Sequence, residues 1–376
     1  MTIKLDPWGA TIPENYSRVM EEFGISPFEN LLQKISNPHP LMRRKIIFGH
    51  RDFERILSAM DKGENFAVMT GLMPSGKMHL GHKLVIDQLI WYQEKKSDIF
   101  LCVADLEAYS ARGISFEQSK KLAIEEYLAN YYALGLNLER CHVYFQSTNN
   151  SVRHLAFLLA KKVNFSEMKA IYGFSGESSI SQIFYPMIDI ADILHPQLEE
   201  FGGPRPTVIP VGIDQDPHIR LARDVAARFQ KDLRFILPSS TYHRLLPGLT
   251  GDKMSSSRPE TAIFLTDSDE DLEKKIRNAF TGGLPTAAEQ RRLGGDPSKC
   301  RVYELYVYHL MPDDNELLEI NELCRSGKMI CGECKTRAIE MMKNYLKEHR
   351  AKYKRALPKI KKIVEKNFCR PLEISF

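Results

Sequence analysis

Residues 66–103, FAVMTGLMPSGKMHLGHKLVIDQLIWYQEKKSDIFLCV, contain the pattern that decides the fold. The apolar run Phe66–Met69 stops at Gly71, which predicts a buried strand that ends in a loop. Leu80–Glu94 repeats apolar side chains at helical spacing, and Ile99–Val103 is a second buried-strand candidate. A strand, a glycine-bearing loop, a helix and a strand make a βαβ unit, which predicts a parallel sheet.

The same alternation recurs further along the chain. The predicted helices and strands are Phe116–Gly135 (helix), His142–Gln146 (strand), Thr207–Val211 (strand) and Asp216–Phe229 (helix). Strands that alternate with helices predict an α/β fold with a doubly wound parallel sheet of the Rossmann type. Ligands bind such sheets at the carboxyl ends of the strands, so the residues just after Met69, Val103 and Val211 should line one pocket.

Strand signals fade after about Thr266, and the remainder is helical by pattern. The predicted helices are Asp267–Phe280, Tyr303–Leu310, Asp314–Cys324 and Glu333–Lys366. The sequence therefore predicts an N-terminal extension (1–65), a Rossmann-type domain (66–266) and a helical domain (267–376).

The composition excludes several classes of protein. Hydrophobic residues make up 43% of the 376 and charged residues 27%, as in an ordinary folded protein rather than a disordered one. No apolar run is long enough to span a bilayer, and the start MTIKLDPWGA lacks the basic and apolar blocks of a signal peptide. These features predict a cytoplasmic protein.

Positive charge is concentrated at the C-terminal end. Residues 331–376 contain 13 Lys and Arg against 5 Asp and Glu, although the net charge of the whole chain is only +4. Such an end suggests a polyanionic partner, while the alternative is a solvated helix face.

Two interpretations compete for the loop after the first strand. Gly71, Gly76 and Lys77 match the spacing of a P-loop, but that motif then needs Ser or Thr to hold Mg²⁺, and Met78 stands there. The other interpretation is an HxGH motif, formed by His79, Gly81 and His82, at the start of a helix.

The HxGH interpretation has a direct chemical reason. A helix N-terminus offers unpaired N–H groups and partial positive charge to a phosphate. His79 and His82 are three residues apart, so both rings should lie on one helix face and donate hydrogen bonds. Gly81 lets a nucleotide approach the backbone. A pair of surface histidines is the alternative for so short a motif.

A second candidate phosphate site is the stretch LTGDKMSSSRP, residues 249–259. Lys253, Ser255 and Ser257 would present a cation and hydroxyls on a glycine-flanked loop, which can apply charge late in a reaction. An ordinary serine-rich loop is the alternative.

The third candidate is the segment VIPVGIDQDPH, residues 208–218. A glycine that lets a ribose approach, followed by a carboxylate that takes its hydroxyls, is typical of nucleotide sites. Gly212 and Asp214 fill those positions. Asp214 or Asp216 also fits a helix cap.

The HxGH and KMSSS motifs, in this order, resemble the signature pair of class I aminoacyl-tRNA synthetases. Residues 208–218 further resemble the tryptophanyl-tRNA synthetases of the archaeal and eukaryotic type. That resemblance covers nearly the whole chain, and it includes Asp6-Pro-Trp8, Arg43-Arg44, Phe48–Asp52, Asn164-Phe165, Gly173-Phe174, Ala262–Asp267, Gly294-Gly295 and the end PLEISF. Tyrosyl-tRNA synthetase is the nearest related family and the alternative.

The resemblance implies activation of L-tryptophan by ATP, followed by transfer to tRNA(Trp). It implies catalytic roles at the phosphates for His79, His82, Lys253, Ser255 and Ser257. It implies ATP-binding roles for Gly81, Gly212, Asp214, Gln215 and Met254, with Mg²⁺ accompanying ATP. It also implies a homodimer and an anticodon-binding role for the helical domain.

The resemblance implies an amino-acid site formed by Met69, Gly71, Glu107, Asp189 and Gln215. Met69 and Cys102 stand where the eukaryotic enzymes carry Tyr and Gln near the indole, and Asp189 stands where they carry Gln. The indole of tryptophan has one N–H donor, which Asp189 or Glu107 could accept.

Four cysteines form the last candidate site: Cys300, Cys324, Cys331 and Cys334. Four thiolates suit either tetrahedral zinc or a [4Fe–4S] cluster. Some tryptophanyl-tRNA synthetases carry such a cluster with nearly this spacing, so the resemblance implies one here. Zinc and unligated thiols are the alternatives.

Overall fold

Seven strands form one mixed sheet in the computed structural model, which describes residues 5–8, 13, 15–251, 254 and 258–367. The strands are β1 (Ser26–Pro27), β2 (Ile47–Arg51), β3 (Ala67–Leu72), β4 (Asp98–Val103), β5 (Cys141–Phe145), β6 (Thr207–Gly212) and β7 (Ser239–His243). Their order across the sheet is β1-β2-β7-β6-β3-β4-β5. Neighbours from β7 to β5 are parallel, whereas β2 runs antiparallel to β1 and β7. The predicted α/β fold with its parallel sheet is confirmed.

Helices surround this sheet and form the C-terminal part of the chain. They are α1 (Tyr16–Phe23), α2 (Pro40–Arg43), α3 (Glu54–Lys62), α4 (Leu80–Glu94), α5 (Asp105–Arg112), α6 (Phe116–Leu122), α7 (Ala129–Leu134), α8 (Asn150–Ala160), α9 (Phe165–Tyr172), α10 (Ile180–Leu194), α11 (Asp216–Arg228), α12 (Gln230–Leu233), α13 (Asp269–Arg277), α14 (Ala287–Leu293), α15 (Arg301–Leu305), α16 (Asp314–Arg325) and α17 (Cys331–Asn367). Within the described ranges, no helix is both long and apolar enough to cross a membrane.

The sheet opens a crevice at its centre. Strand β3 pairs with β4 on one side and with β6 on the other. The chain goes from β3 through α4 to β4, and it reaches β6 on the opposite side only later. The order of strands therefore reverses at β3, and the carboxyl ends of β3 and β6 are where such sheets bind ligands.

The structure confirms the local predictions and adds elements that they missed. Helix α4 has the predicted bounds Leu80–Glu94, because its apolar residues repeat at helical spacing over its whole length. Strands β1, β2 and β7 were not predicted, because they are short and their pairing is between distant residues. Since β1 and β2 come from residues 1–65 and join the same sheet, that predicted extension is part of the sheet layer; the three-domain division itself stays a prediction.

A buried carboxylate joins the antiparallel edge of the sheet to α11. Asp216 is fully buried at the first position of this helix. It accepts hydrogen bonds from Arg51 on β2 (Nη2, 2.9 Å) and from the Tyr242 hydroxyl on β7 (2.5 Å), and it pairs with Arg220 (3.0 Å). Asp216 is therefore a structural anchor that joins β2, β7 and α11.

We expect Asp216→Ala to lower the free energy of unfolding by up to about 3 kcal/mol, because it leaves the partly buried Arg51 guanidinium without its counter-charge. Urea unfolding followed by circular dichroism measures this change. Asp224→Ala, at an exposed position of the same helix, is the matched control and should stay close to the wild type. Equal stability of the two variants would contradict the anchoring role.

Candidate active site

A cavity of about 750 Å³ lies at the carboxyl ends of β3, β4 and β6. The predicted site residues that line it are Met69, Gly71, His79, His82, Glu107, Asp189, Gly212, Gln215 and Met254. Gly81 and Asp214 adjoin this wall, next to His79 and Gly212. Lys253, Ser255 and Ser257 lie outside the described residues. The single pocket expected from the strand ends is confirmed, whereas the role of each residue stays a prediction.

The two histidines of the HxGH motif form a stacked pair at the start of α4. Their ring centroids are 3.9 Å apart, and the planes are inclined by 29°. His79 is the N-cap residue, with φ −116° and ψ 171°, so it precedes the helix instead of lying within it. The two rings are close, as predicted, because each ring accepts a hydrogen bond from a backbone N–H group at the start of α4.

Backbone hydrogen bonds determine which ring nitrogens can act on a ligand. The Nδ1 atom of His79 accepts from the Gly81 N–H (3.1 Å), and the Nδ1 atom of His82 accepts from the His79 N–H (3.2 Å). A neutral ring that accepts at Nδ1 carries its proton at Nε2. Both rings therefore have Nε2 as the donor nitrogen, and the first turn of α4 contains no acidic residue to oppose a phosphate.

Gly81 is required by this packing of the histidine rings. A Cβ atom on Gly81 would lie 2.9 Å from Cε1 and Nδ1 of His79. Any side chain would displace the ring from its capping position. The glycine of the motif thus has a structural reason in addition to the predicted approach of a nucleotide.

The end of β6 brings a carboxylate against the backbone. A Cβ atom on Gly212 would lie 2.4 Å from Oδ1 of Asp214, so glycine is what allows this close approach. Gln215 donates from Nε2 to Asp214 (3.2 Å) and to the carbonyl of Pro7 (3.2 Å). Carboxylate and amide groups next to an exposed strand end suit the hydroxyl groups of a ribose.

Two carboxylates of the cavity have different surroundings. Glu107 accepts a hydrogen bond from the indole N–H of Trp8 (3.0 Å). The carboxylate of Asp189 lies 3.4 Å from the Nδ1 atom of His218. Burial raises the pKa of Asp189 to about 7 and lowers the pKa of His218 to about 4, so the imidazole is neutral at pH 7. Asp189 therefore faces a neutral imidazole, whereas Glu107 already accepts a hydrogen bond from an indole.

Asp192 is a buried carboxylate behind the cavity wall that the sequence reasoning missed. It is fully buried, and it accepts from Gln146 Nε2 (2.6 Å), the Tyr144 hydroxyl (2.7 Å) and the thiol of Cys102 (3.3 Å). Cys102 and Gln146 themselves line the cavity. The signal was present, because Asp189 and Asp192 are three residues apart in an otherwise apolar part of α10 and therefore share a face.

Trp8 is the second residue that the sequence reasoning did not place in the site. Its ring lies 5.7 Å from Tyr172 and from His218, and 6.2 Å from Phe174, between centroids. Its indole N–H reaches Glu107, 99 positions away in the chain. The resemblance included Asp6-Pro-Trp8, but no local pattern indicates a contact over such a separation.

The four predicted cysteines converge on one small cavity of about 10 Å³ in the helical part of the chain. Glycines make room for two of the sulfurs: a Cβ atom on Gly283 would lie 2.4 Å from Sγ of Cys331, and one on Gly295 would lie 2.9 Å from Sγ of Cys324. Burial raises the pKa of Cys334 to about 12 and that of Cys324 to about 11, and neighbouring thiols contribute to both shifts. The four thiols are therefore close enough to interact electrostatically.

The thiols are not arranged around a single point. In the part of the chain that the structure describes, no group of three or more His, Cys, Asp or Glu side chains could hold one metal ion. A cavity of about 10 Å³ has room for roughly one water molecule. The structure thus brings the predicted ligands together without a preformed tetrahedral site.

Comparison with protein families gives one match. The family model described as class I tRNA synthetases (W and Y) matches residues 61–347, which is most of the chain. The matched region includes the HxGH turn, the end of β6, Asp189 and the four cysteines.

Individual relatives agree with this match. The chain is 52% identical to the tryptophan–tRNA ligase of Methanocaldococcus jannaschii over 365 residues, which cover 96% of this chain and 98% of the relative. It is 45% identical to the enzyme of that name from Archaeoglobus fulgidus, with 93% and 97% of the two chains covered. The crystal structure of tryptophanyl-tRNA synthetase from Aeropyrum pernix superposes with a TM-score of 0.91 at 47% identity and covers 98% of this chain and 100% of that one.

Proposed function

This chain belongs to the class I tRNA synthetases for tryptophan and tyrosine, and we propose that it is the tryptophan–tRNA ligase. The observation that carries the proposal is one cavity that combines the stacked His79–His82 pair, the Gly212–Asp214 turn and the Asp189 carboxylate. The histidine pair would bind the phosphates of ATP, the Gly212–Asp214 turn its ribose, and Asp189 the ammonium group of the amino acid.

The reaction has two steps. The carboxylate of tryptophan attacks the α-phosphate of ATP, which gives tryptophanyl-adenylate and releases pyrophosphate. The terminal ribose of tRNA(Trp) then takes the tryptophanyl group. Neither step requires a covalent enzyme intermediate, so the protein acts mainly by positioning the substrates and by stabilising charge.

The geometry suggests how this chain's residues divide the work of the first step. The Nε2–H groups of His79 and His82, with the N-terminus of α4, would donate to the phosphates. Gly212 and Asp214 would hold the ribose, and Lys253 of the KMSSS stretch would stabilise charge on the departing pyrophosphate. Mg²⁺ would enter with ATP, since such ions keep few fixed protein ligands.

The test of this function is amino-acid-dependent exchange of pyrophosphate into ATP, measured with tryptophan, with tyrosine and without an amino acid. We expect exchange with tryptophan alone. Exchange with tyrosine would keep the chemistry and make the chain a tyrosine–tRNA ligase. ATP hydrolysis without any amino acid would instead support the P-loop interpretation.

We propose that Asp189 binds the α-ammonium group of tryptophan. Glu107 already accepts an indole N–H, from Trp8, whereas the close polar neighbour of Asp189 is the neutral imidazole of His218. Asp189 also lines the cavity directly, and an ammonium needs a negative partner where water is largely excluded.

We expect kcat/KM for tryptophan to fall as the pH drops through about 7, because the raised pKa of Asp189 means that the carboxylate is protonated below that pH in the free enzyme. Asp189→Asn should lower kcat/KM about tenfold to a hundredfold and remove this inflection, because it keeps an acceptor oxygen but loses the charge. The measurement is the pH profile of exchange, with the exposed Asp232→Asn as control. A small effect of Asp189→Asn would assign Asp189 to the indole N–H, which needs only an acceptor.

We also propose that Cys300, Cys324, Cys331 and Cys334 hold a [4Fe–4S] cluster that braces the helical domain. Four thiols around one cavity, with glycines beside two of them, support this proposal. Tetrahedral zinc needs all its sulfurs about 2.3 Å from one point, whereas each cysteine of a [4Fe–4S] cluster binds a different iron. The side chains would have to turn outward to admit it, and it would stabilise structure rather than take part in the reaction.

Protein purified without oxygen should be brown, with broad absorbance near roughly 400 nm from Fe–S charge transfer. Cys324→Ser should lose the colour and the iron, while Cys141→Ser, outside the group of four, should keep both. Colourless protein with one equivalent of zinc, or with neither metal, would contradict the cluster.

We propose tRNA(Trp) and a second copy of the chain as the macromolecular partners. The basic C-terminal helix α17 supports an anticodon-binding role for the helical domain, since phosphates dominate nucleic-acid affinity.

Exposed apolar side chains on helices α8 to α10, namely Phe157, Phe165 and Ile180, support the homodimer. The cytoplasmic location stays a prediction.

We expect the wild type to sediment as a dimer in analytical ultracentrifugation and Phe157→Lys to shift it toward the monomer, because Phe157 is 78% exposed and a charge there would have to be buried in the interface. Leu318→Lys, at an equally apolar exposed position of α16, is the control. A monomeric wild type would contradict the dimer.

A further inference from the structure

A second chamber of about 260 Å³ adjoins the main cavity. We call it the side chamber, and its walls include Trp8, Arg112, Phe174, Ser178, Gln182 and Tyr185. Trp8, Arg112 and Tyr185 line the main cavity as well, so the two spaces share a wall. Nothing in the proposed activation step uses the side chamber, because the groups assigned to ATP and tryptophan lie on the other side of that wall.

Aromatic rings form one part of the side chamber. Trp8 and Phe174 have centroids 6.2 Å apart, and Tyr185 contributes a third ring. Flat aromatic surfaces of this kind bind unstacked nucleotide bases, which stack on them whatever the base.

Hydrogen-bond donors form the other part. Arg112 is exposed at the last position of α5, and within the described residues its guanidinium makes no hydrogen bond or ion pair. The Oε1 atom of Gln182 accepts from the Ser179 N–H (3.0 Å), which leaves the amide N–H₂ as the ligand-binding end of that side chain. In the described part of the wall there is no carboxylate that would repel an anion.

We propose that the side chamber binds one of the unpaired nucleotides at the 3′ end of the tRNA during the transfer step. The base would stack on the aromatic wall, and Arg112 would bind a phosphodiester, which its planar guanidinium suits. This inference rests on the proposed function, because it assumes that the main cavity is then filled by tryptophanyl-adenylate.

The transfer reaction requires a nucleotide of the tRNA to bind just outside the main cavity. The terminal ribose hydroxyl oxygen forms an ester bond to the carbonyl carbon of tryptophan. The bond between that carbon and the phosphate oxygen breaks, AMP leaves, and the hydroxyl proton goes to the departing phosphate. The terminal ribose must therefore enter the main cavity, and a neighbouring nucleotide must remain just outside it. The side chamber lies next to the cavity, across the shared wall.

Two variants and two matched controls test the proposal. Gln182→Glu keeps the oxygen that caps α10 but places a negative charge in the side chamber. Arg112→Gln removes the cation. Gln230→Glu and Arg140→Gln make the same changes at exposed positions that line neither space.

The first measurement is binding of the tRNA transcript, either intact or trimmed of its unpaired 3′ nucleotides. We expect the wild type and both controls to bind the intact transcript more tightly than the trimmed one. In Gln182→Glu and Arg112→Gln this ratio of affinities should fall about tenfold, the effect of losing one charge-assisted contact. The same preference in all five proteins would overturn the proposal.

The second measurement is single-turnover transfer from preformed tryptophanyl-adenylate, compared with tryptophan-dependent exchange. We expect Gln182→Glu to slow transfer by a larger factor than exchange. An equal loss in both would assign the side chamber to activation and overturn the proposal. If the wild type shows no exchange but the variants still lose the preference for the intact end, the proposed function fails and the nucleotide site stands.

Discussion

The buried carboxylate of Asp216 connects the antiparallel edge of the sheet to α11. It receives Arg51 from β2 and Tyr242 from β7 at the first residue of α11. Arg51 also donates to the carbonyl groups of Phe23 and Gly24, at the end of α1. The position of α11 then determines where the turn before it lies, and that turn carries Gly212, Asp214 and Gln215. A buried charge is stable only when it is paired, and this pairing holds the antiparallel edge, α1 and the turn that precedes α11 in one arrangement.

The helical part of the chain is attached to this sheet by charge as well as by apolar packing. Arg43 and Arg44, at the end of α2, both donate to the carboxylate of Asp314 on α16 (2.7 Å each). Arg44 also donates to the carbonyl groups of Val307 and Met311. Helix α17 packs against α7 and α13, and its apolar residues belong to the same core cluster as those of α4. The helix that carries the histidine pair therefore shares one hydrophobic core with the C-terminal helical part of the chain.

Different parts of the cavity differ in charge and in hydrogen-bonding groups. The N-terminus of α4, with its histidine donors and without an acidic residue, suits phosphate. Asp189 and Glu107 also line the cavity, where the ammonium group of tryptophan is proposed to bind. Arg112 adds a cation in the wall shared with the side chamber, where the proposed polyanionic partner would enter. Trp8 lies in the same shared wall and holds Glu107 by its indole N–H.

The sequence by itself determined the elements whose signals are local. The apolar repeat of Leu80–Glu94 predicted α4 to the residue, and the strand, loop and helix pattern predicted the βαβ unit and the pocket at its strand ends. Motif spacing predicted His79 and Gly212 at the ends of two strands, whereas Asp189, inside α10, was expected in the same site only from the family resemblance. Only the tertiary structure decided the pairing of β2 with β7, the contact of Trp8 with Glu107 and the place of Asp192 behind Cys102. The physical reason is that periodicity and caps depend on neighbours within a few residues, whereas these contacts join residues far apart in the chain and exist only once the whole core has packed.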